Sequence, residues 1–396
     1  MVEWLIIGGG IHGSTMFTHL RKMLGVKASQ IAWVDPAEEP LAVWKRCTSA
    51  VHMTDLRSPG VHHIDTTPFS FIHYAKENRH LFERAPFSGH YKHPSLEAFD
   101  MHADATLEDL NWRESWVQGN VVKLQRTSEN GWFVLLNSKH GIHARQVILA
   151  IGASEAPNIP NFLKPDRASG CYHVFSQEMP SIPKLTGQVA VIGGGITGAQ
   201  AALAASQGSA AHVTLASGKD LQIQRFDSDP GWLGPKYMKA FNKEKDTTVR
   251  RDILTKARHR GSMPRKFYQM LKQHIKDGRI TLSEQRVTNA SQTQSWQLEL
   301  ADGEALEADH LLLATGFQQK MPGKSWLQPL IDDCDLSTAP CGYPIVDSEN
   351  LAWHQGLYVM GPLAELELGP VSRNIAGAQR AARRICASQP ALVHAE

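Results

Sequence analysis

The chain has 396 residues, 42% hydrophobic and 20% charged, the make-up of a globular protein and not of a disordered one. Its 41 basic and 39 acidic residues leave a net charge of +2, which excludes nucleic acid or an anionic membrane surface as the main partner. That length predicts two domains of ordinary size.

Residues 2–7 form an apolar run that ends in three glycines. The run is too short for a signal-peptide core and reads as a strand. Residues 3–13 read Glu-Trp-Leu-Ile-Ile-Gly-Gly-Gly-Ile-His-Gly, followed by a helix-compatible stretch at 14–24 and a second apolar strand at 31–34. Gly8, Gly10 and Gly13 hold the three positions of a G-x-G-x-x-G dinucleotide fingerprint. The first permits a tight turn, the second lets backbone approach a pyrophosphate, and the third lets the helix pack close. Asp35 stands 22 residues after Gly13, at the end of the next strand, where an acid accepts hydrogen bonds from ribose hydroxyls.

Strands are predicted at 132–136 and 146–150, with a turn at Asn130-Gly131. The proline-bearing segment 153–165 reads as a connector. The fingerprint then recurs: residues 188–198 read Gln-Val-Ala-Val-Ile-Gly-Gly-Gly-Ile-Thr-Gly, with a helix at 199–207 and a strand at 212–215. Gly193, Gly195 and Gly198 repeat the glycines, but no carboxylate closes the second strand. Ser217 and Lys219 stand there instead, with Arg225 beyond, a set suited to a 2′-phosphate and hence to NADPH. The alternative for Lys219 is an ordinary turn lysine.

Residues 232–276 are basic and read as largely helical, with Arg250, Arg251, Lys256, Arg258, Arg260, Arg265 and Lys266 expected on a solvated face, the alternative being that they frame a cofactor phosphate or an acidic substrate. Strands resume at 279–282, 296–300, 310–314 and 356–360, and a last helix runs from 374 to 386, with frayed residues at 387–396. The turns Val147 to Gly152 and Leu311 to Gly316 each end a strand at a glycine, placing Gly152, Thr315 and Gly316 near a bound dinucleotide. Five scattered cysteines with no Cys-x-x-Cys exclude a zinc ribbon and a redox-active dithiol of that type. Cys334 and Cys341 are spaced to pair in a loop, but reduced thiols in a cytoplasmic protein are expected. No stretch approaches the ~20 apolar residues of a membrane span.

Together these motifs resemble the flavin-dependent monooxygenases with paired FAD and NADPH sites. Residues 309–322, Asp-His-Leu-Leu-Leu-Ala-Thr-Gly-Phe-Gln-Gln-Lys-Met-Pro, match the D-x3-L-ATG-[YF]-x4-[HP] pattern of the N-hydroxylating enzymes of siderophore biosynthesis. Residues 55–59, 69–74, 94–95 and Phe99 are similar to the stretch that in that group lies between flavin and substrate. The flavin-containing monooxygenases share the paired fingerprints, whereas the Baeyer–Villiger pattern is met at Gly170 and His173 only in shortened form. Gly361-Pro362 and residues 369–374 look like the final FAD-contacting turn and helix start, although the disulfide-reductase relatives have Gly-Asp where Pro362 stands.

The resemblance implies an α/β fold of two Rossmann-like domains, glutathione-reductase-like, with an NADP domain (185–308) inserted in an FAD domain (1–180 and 309–396). The expected FAD contacts are completed by Trp44, Val122, Gly152, Gly361 and Pro370. The implied activity is NADPH-dependent oxygenation of a small amine or sulfur nucleophile by O₂ through a flavin hydroperoxide. Two residues are expected to serve it: Asn374, opening a helix toward the flavin pyrimidine edge, and Arg57, either a charge beside the flavin face or a structural arginine. His52, His62 and His63 are expected to be ordinary hydrogen-bonded histidines, the alternative being acid–base groups. Reduction of a quinone or other acceptor without oxygen insertion, and non-catalytic flavin binding, remain as competing functions.

Overall fold

The computed structural model describes residues 1–163 and 170–389. Pro165, in the expected connector, and residues 390–396 of the expected frayed end lie outside the described residues. Strand Val2–Ile7 buries its last four side chains and pairs in parallel with Ile31–Asp35 on one side and Gly141–Leu149 on the other. The sheet extends through Trp116–Gln118 at one edge and through Leu357–Val359 and Ala352–His354 at the other. An antiparallel hairpin, Val121–Arg126 and Trp132–Leu136, joins Gly141–Leu149, with Asn130 in the left-handed conformation (φ 58°) that its turn requires.

The second sheet is wholly parallel, in the order Ile280–Ser283, Ala210–Ala216, Gly187–Ile192, His310–Leu313, Cys171–His173. Helix Ile196–Gln207 packs on one face, and a three-stranded antiparallel sheet (Val287–Gln292, Trp296–Leu300, Ala305–Ala308) covers the other with Trp296, Leu298 and Leu300. Two Rossmann-like units, the second inserted in the first, give the expected fold class.

The pairing differs from the expected division at 185 and 308. Cys171–His173 and His310–Leu313, both placed by sequence in the flanking FAD unit, belong to the second sheet. Asp309 fastens the entry: its N–H donates to the Gln188 carbonyl at 2.8 Å, and its Oδ2 accepts from the Gln188 N–H at 2.7 Å. A strand buried on both faces is a continuous apolar run in either sheet, so its composition does not reveal its partner.

The basic stretch is also different from its expectation. It divides into helices Pro235–Lys243, Thr247–Ala257 and Arg265–Lys276. Asp246 starts the second by accepting from the Thr248 and Val249 N–H groups, and Gly261 (φ 68°) and Pro264 separate the second from the third. Arg250, Arg251 and Arg258 do not lie on a solvated face: Arg250 pairs with Glu367 at 2.8 Å, and Arg251 and Arg258 pair with Glu365. Both glutamates are buried on Glu365–Leu368, more than 100 residues away in sequence.

Candidate dinucleotide and substrate site

The first bend is built from close backbone approach. A Cβ on Gly8 (φ 116°) would sit 2.5 Å from the Ala150 carbonyl oxygen, and one on Gly13 would sit 1.8 Å from the Gly8 carbonyl oxygen. Gly10 is the opposite case, because a Cβ there would meet nothing within 4 Å. Helix Ile11–Met23 opens at Gly10 with no side-chain cap and no acid in its first turn, leaving N–H groups for an anion. Asp35 accepts from the Gly9 N–H at 2.5 Å and from the Ala37 N–H at 2.9 Å, so it shapes the bend as well as flanking it.

His12, which the sequence reading left unassigned within the fingerprint, is buried here; neither ring nitrogen makes a well-formed hydrogen bond, although the Arg373 backbone stands close enough to act on the ring. Burial pushes its pKa down from 6.5 to about 4, offset only in part by the Arg373 backbone, so the ring is neutral. It lies against Gly361 (φ 61°), where an added Cβ would be 3.4 Å from the ring. An orphaned buried polar group costs about 1–3 kcal/mol. A phosphate or ribityl oxygen of a dinucleotide bound at this bend would satisfy it, so the residues present fit such a group.

The second bend repeats the construction. Gly193 (φ 135°) approaches the Ala314 carbonyl, with 2.4 Å available to a Cβ, and Gly198 approaches Gly193, with 1.8 Å. Here a Cβ on Gly195 would sit 3.2 Å from the Gly261 Cα, and one on Gly261 would sit 3.4 Å from Lys219 Nζ. Ser217 donates to the Lys219 carbonyl at 2.6 Å, so its hydroxyl holds the turn that presents the lysine. Arg225 stands apart from this pair: its guanidinium lies 4.8 Å over the Tyr91 ring. Arg286, whose Cα lies near Gly218, joins the lysine side of the bend and was not singled out by sequence.

The connector is fastened beside it. Thr315 donates to the Asn158 carbonyl, and the Gly316 carbonyl accepts from the Asn158 N–H at 2.9 Å and from His173 Nε2 at 2.9 Å. A cavity of about 640 Å³ runs along Gly193–Gly195, Thr315 and Gly316, with Arg57, Arg258 and Arg373 on its walls. The last two are positioned by Glu365, 1% exposed, which accepts from Arg373 at 2.7 and 2.9 Å and from Arg258 at 2.7 Å. Burial pushes the Glu365 carboxyl up, but Arg373, Arg258 and Arg251 outweigh it and hold the group below its ordinary value. Such a cluster has no local sequence pattern, and the reading missed it.

Arg57 and Asn374 line one chamber of about 500 Å³ that shares Arg57 and Asp227 with the larger cavity. Asn374 caps helix Ile375–Ala387 by accepting from the Gly377 N–H at 3.0 Å. Arg57 donates through Nε to the Arg225 carbonyl (2.9 Å) and through Nη2 to Gln224 and Phe226 carbonyls and Ser262 Oγ. It therefore ties the first unit to the second while bordering the chamber. His63 is hydrogen-bonded as expected, donating to the Pro68 carbonyl at 3.1 Å; His62 lines the chamber and is held neutral, chiefly by burial.

The remaining expected contacts are more scattered. Trp44 gives its N–H to Asp100 at 2.9 Å and packs on Phe99. Val122 is 47% exposed on the hairpin. A Cβ on Gly152 would meet nothing within 4 Å, and Pro370 is buried in the turn before Asn374. All five cysteines are free. Among the described residues, no group of three or more His, Cys, Asp or Glu is placed to hold a metal, and no helix is long and apolar enough to cross a membrane.

Comparison with curated proteins gives no match. Among solved structures, an ornithine hydroxylase from Pseudomonas aeruginosa is similar over 98% of both chains, at 16% identity and a TM-score of 0.74. An ornithine N-hydroxylase from Kutzneria sp. 744, seen with reduced FAD, NADP+ and L-ornithine, gives 0.76 at 14% identity over 98% of both chains. A cadaverine monooxygenase from Erwinia amylovora, bound to FAD, gives 0.74 at 12% identity over 97% of this chain and 94% of its own. The pyridine nucleotide-disulphide oxidoreductase family model matches residues 2–384, and the chain belongs to that family.

Proposed function

We propose that the chain is an FAD- and NADPH-dependent monooxygenase that oxygenates a small nucleophilic substrate, foremost at an amine nitrogen. The observation that carries this reading is the chamber bordered by Asn374 on one side and joined to the second glycine bend on the other. The fold shared with N-hydroxylating enzymes supports it, and the sequence holds no Cys-x-x-Cys to serve as a redox dithiol of that type.

Flavin, when bound, supplies the exchange of two electrons with nicotinamide and the activation of O₂. The chain's own residues do the holding. The Gly8–Gly10 backbone and the N-terminus of Ile11–Met23 receive the FAD diphosphate, with Asp35 on the ribose and His12 donating from one ring nitrogen. The N-terminus capped by Asn374 would offer its partial positive charge to a bound flavin. The second bend holds the nicotinamide nucleotide, with Lys219 on its 2′-phosphate. Apolar walls around the chamber exclude water from the reacting atoms.

The test is oxygen uptake by FAD-loaded protein with NADPH and a panel of amines and thiols, with the products identified. Oxygenated product formed in step with NADPH consumption supports the reading. Oxygen-independent NADPH oxidation with a quinone, and no oxygenated product, refutes it.

A further inference from the structure

We propose that the chamber beside Asn374 receives a hydrophobic amine that carries no carboxylate, with Asp227 holding its nitrogen. The proposal deepens the monooxygenase reading, which supplies the amine as the reacting group.

The walls speak first for a carbon-rich ligand. Pro59, Tyr91, Phe226, Leu233 and Val371 line the chamber, and Tyr91 and Leu233 are 41% and 40% exposed. Tyr91 and Phe226 meet edge to face, with centroids 5.6 Å apart, which fixes two aromatic walls across the unit boundary. Large apolar side chains left uncovered in a concave site gain about 25 cal/mol per Å² when a ligand covers them.

The charges select the ligand's polar end. Asp229 spends an oxygen on the Gly231 N–H at 2.7 Å, capping the turn Pro230–Leu233. Arg57 commits Nε and Nη2 to backbone carbonyls and Ser262. His62 is neutral. The Asp227 carboxylate makes no hydrogen bond or ion pair among the described residues, although its charge is felt by Arg57, His62 and Arg258. The chamber's own lining carries one arginine against two aspartates, an excess of one negative charge, while Arg225 over Tyr91 and Arg258 and Arg373 in the adjoining cavity lie beyond it. An ammonium group neutralises that excess and can leave its proton on the Asp227 carboxylate, freeing the nitrogen lone pair to react, whereas an amino acid brings its own carboxylate into a site already rich in them. Asp227 also borders the cavity along the second bend, so a nitrogen bound there sits where the two cavities meet.

The experiment titrates FAD-loaded protein, followed by the flavin absorbance change, with matched pairs: hexylamine against 6-aminohexanoate, and 2-phenylethylamine against phenylalanine, with 1-hexanol as the uncharged control. The plain amines should bind at least about tenfold more tightly than their carboxylated partners. Asp227→Asn should cost the amines about tenfold to a hundredfold, the worth of a charge-assisted contact, and leave 1-hexanol unchanged. The Asp227 main-chain carbonyl, which accepts from His259 N–H, is untouched by that change, and an unaltered melting temperature verifies the fold. Equal or tighter binding of the carboxylated partners, or amine binding indifferent to Asp227→Asn, overturns the proposal. Asp227-dependent amine binding without oxygenated product supports the chamber's ligand and sinks the monooxygenase reading. Oxygenated amines formed equally well by Asp227→Asn sink the ligand assignment and leave that reading standing.

Discussion

The two glycine bends share a backbone and differ in what faces them. Both press their first glycine on a neighbouring carbonyl and their third on the first, at nearly the same distances. Beyond Gly10 lies open space, whereas Gly195 meets Gly261 on a loop that also carries Arg258 and Arg260. The first bend is a bare cradle finished by a carboxylate and an orphaned histidine. The second is partly roofed by a basic segment, with a serine–lysine pair where the carboxylate would stand. On the proposed assignment, one fold element would serve two nucleotides through its surroundings.

The largest expected effect separates cradle from scaffold. Gly10→Val should leave folding intact and abolish the bound yellow chromophore, because its side chain occupies space that only a ligand fills; Gly13→Val should fail to fold. Absorbance and circular dichroism read both, and a fully loaded Gly10→Val would remove FAD from the first bend. Next comes the roof. Glu365→Leu strands three arginines and should cost about 3–5 kcal/mol in urea unfolding, a loss that an exposed ion pair would not produce. Third, Lys219→Ala should raise the KM for NADPH by about ten- to a hundredfold, from a contact of about 1.5–3 kcal/mol, with NADH little changed; equal effects on both would dissolve the asymmetry between the bends.

The smallest effect concerns His12. His12→Leu should weaken FAD binding by about tenfold and stabilise the apoprotein by roughly 1 kcal/mol, since it removes an unsatisfied polar group. The sign with pH follows. Between pH 6.5 and about 4 the unfolded histidine binds a proton that the folded one refuses, so stability falls as pH drops through that window. His19 and His102, lowered chiefly by burial to about 4 and about 3, act the same way. Melting curves of the apoprotein at several pH values should show the fall, with a shallower slope for His12→Leu.

Both bends were legible in the sequence because glycine spacing, a preceding apolar strand and a following helix are local features. Asp35 was legible for the same reason. Partnership across the chain was not. Residues 310–313 carry no mark of which sheet they join, and the arginines of 250–258 read as solvated because Glu365 and Glu367 lie far along the sequence. Arg57 showed its charge but not its acceptors, which are main-chain carbonyls and leave no trace in side-chain composition. His12 sat in plain view within the fingerprint, and its significance depended on Gly361 approaching from the other end of the chain.

Arg57 has one more consequence. With Lys266 bound to Asp55 and Arg46 bound to the Phe175 carbonyl, it joins the halves of the molecule alongside the arginine–glutamate pairs. Parting the halves at Arg57 would leave a guanidinium facing water on one side and bare carbonyls on the other. A swing of one half against the other would have to break the Arg57, Lys266 and Arg46 contacts together.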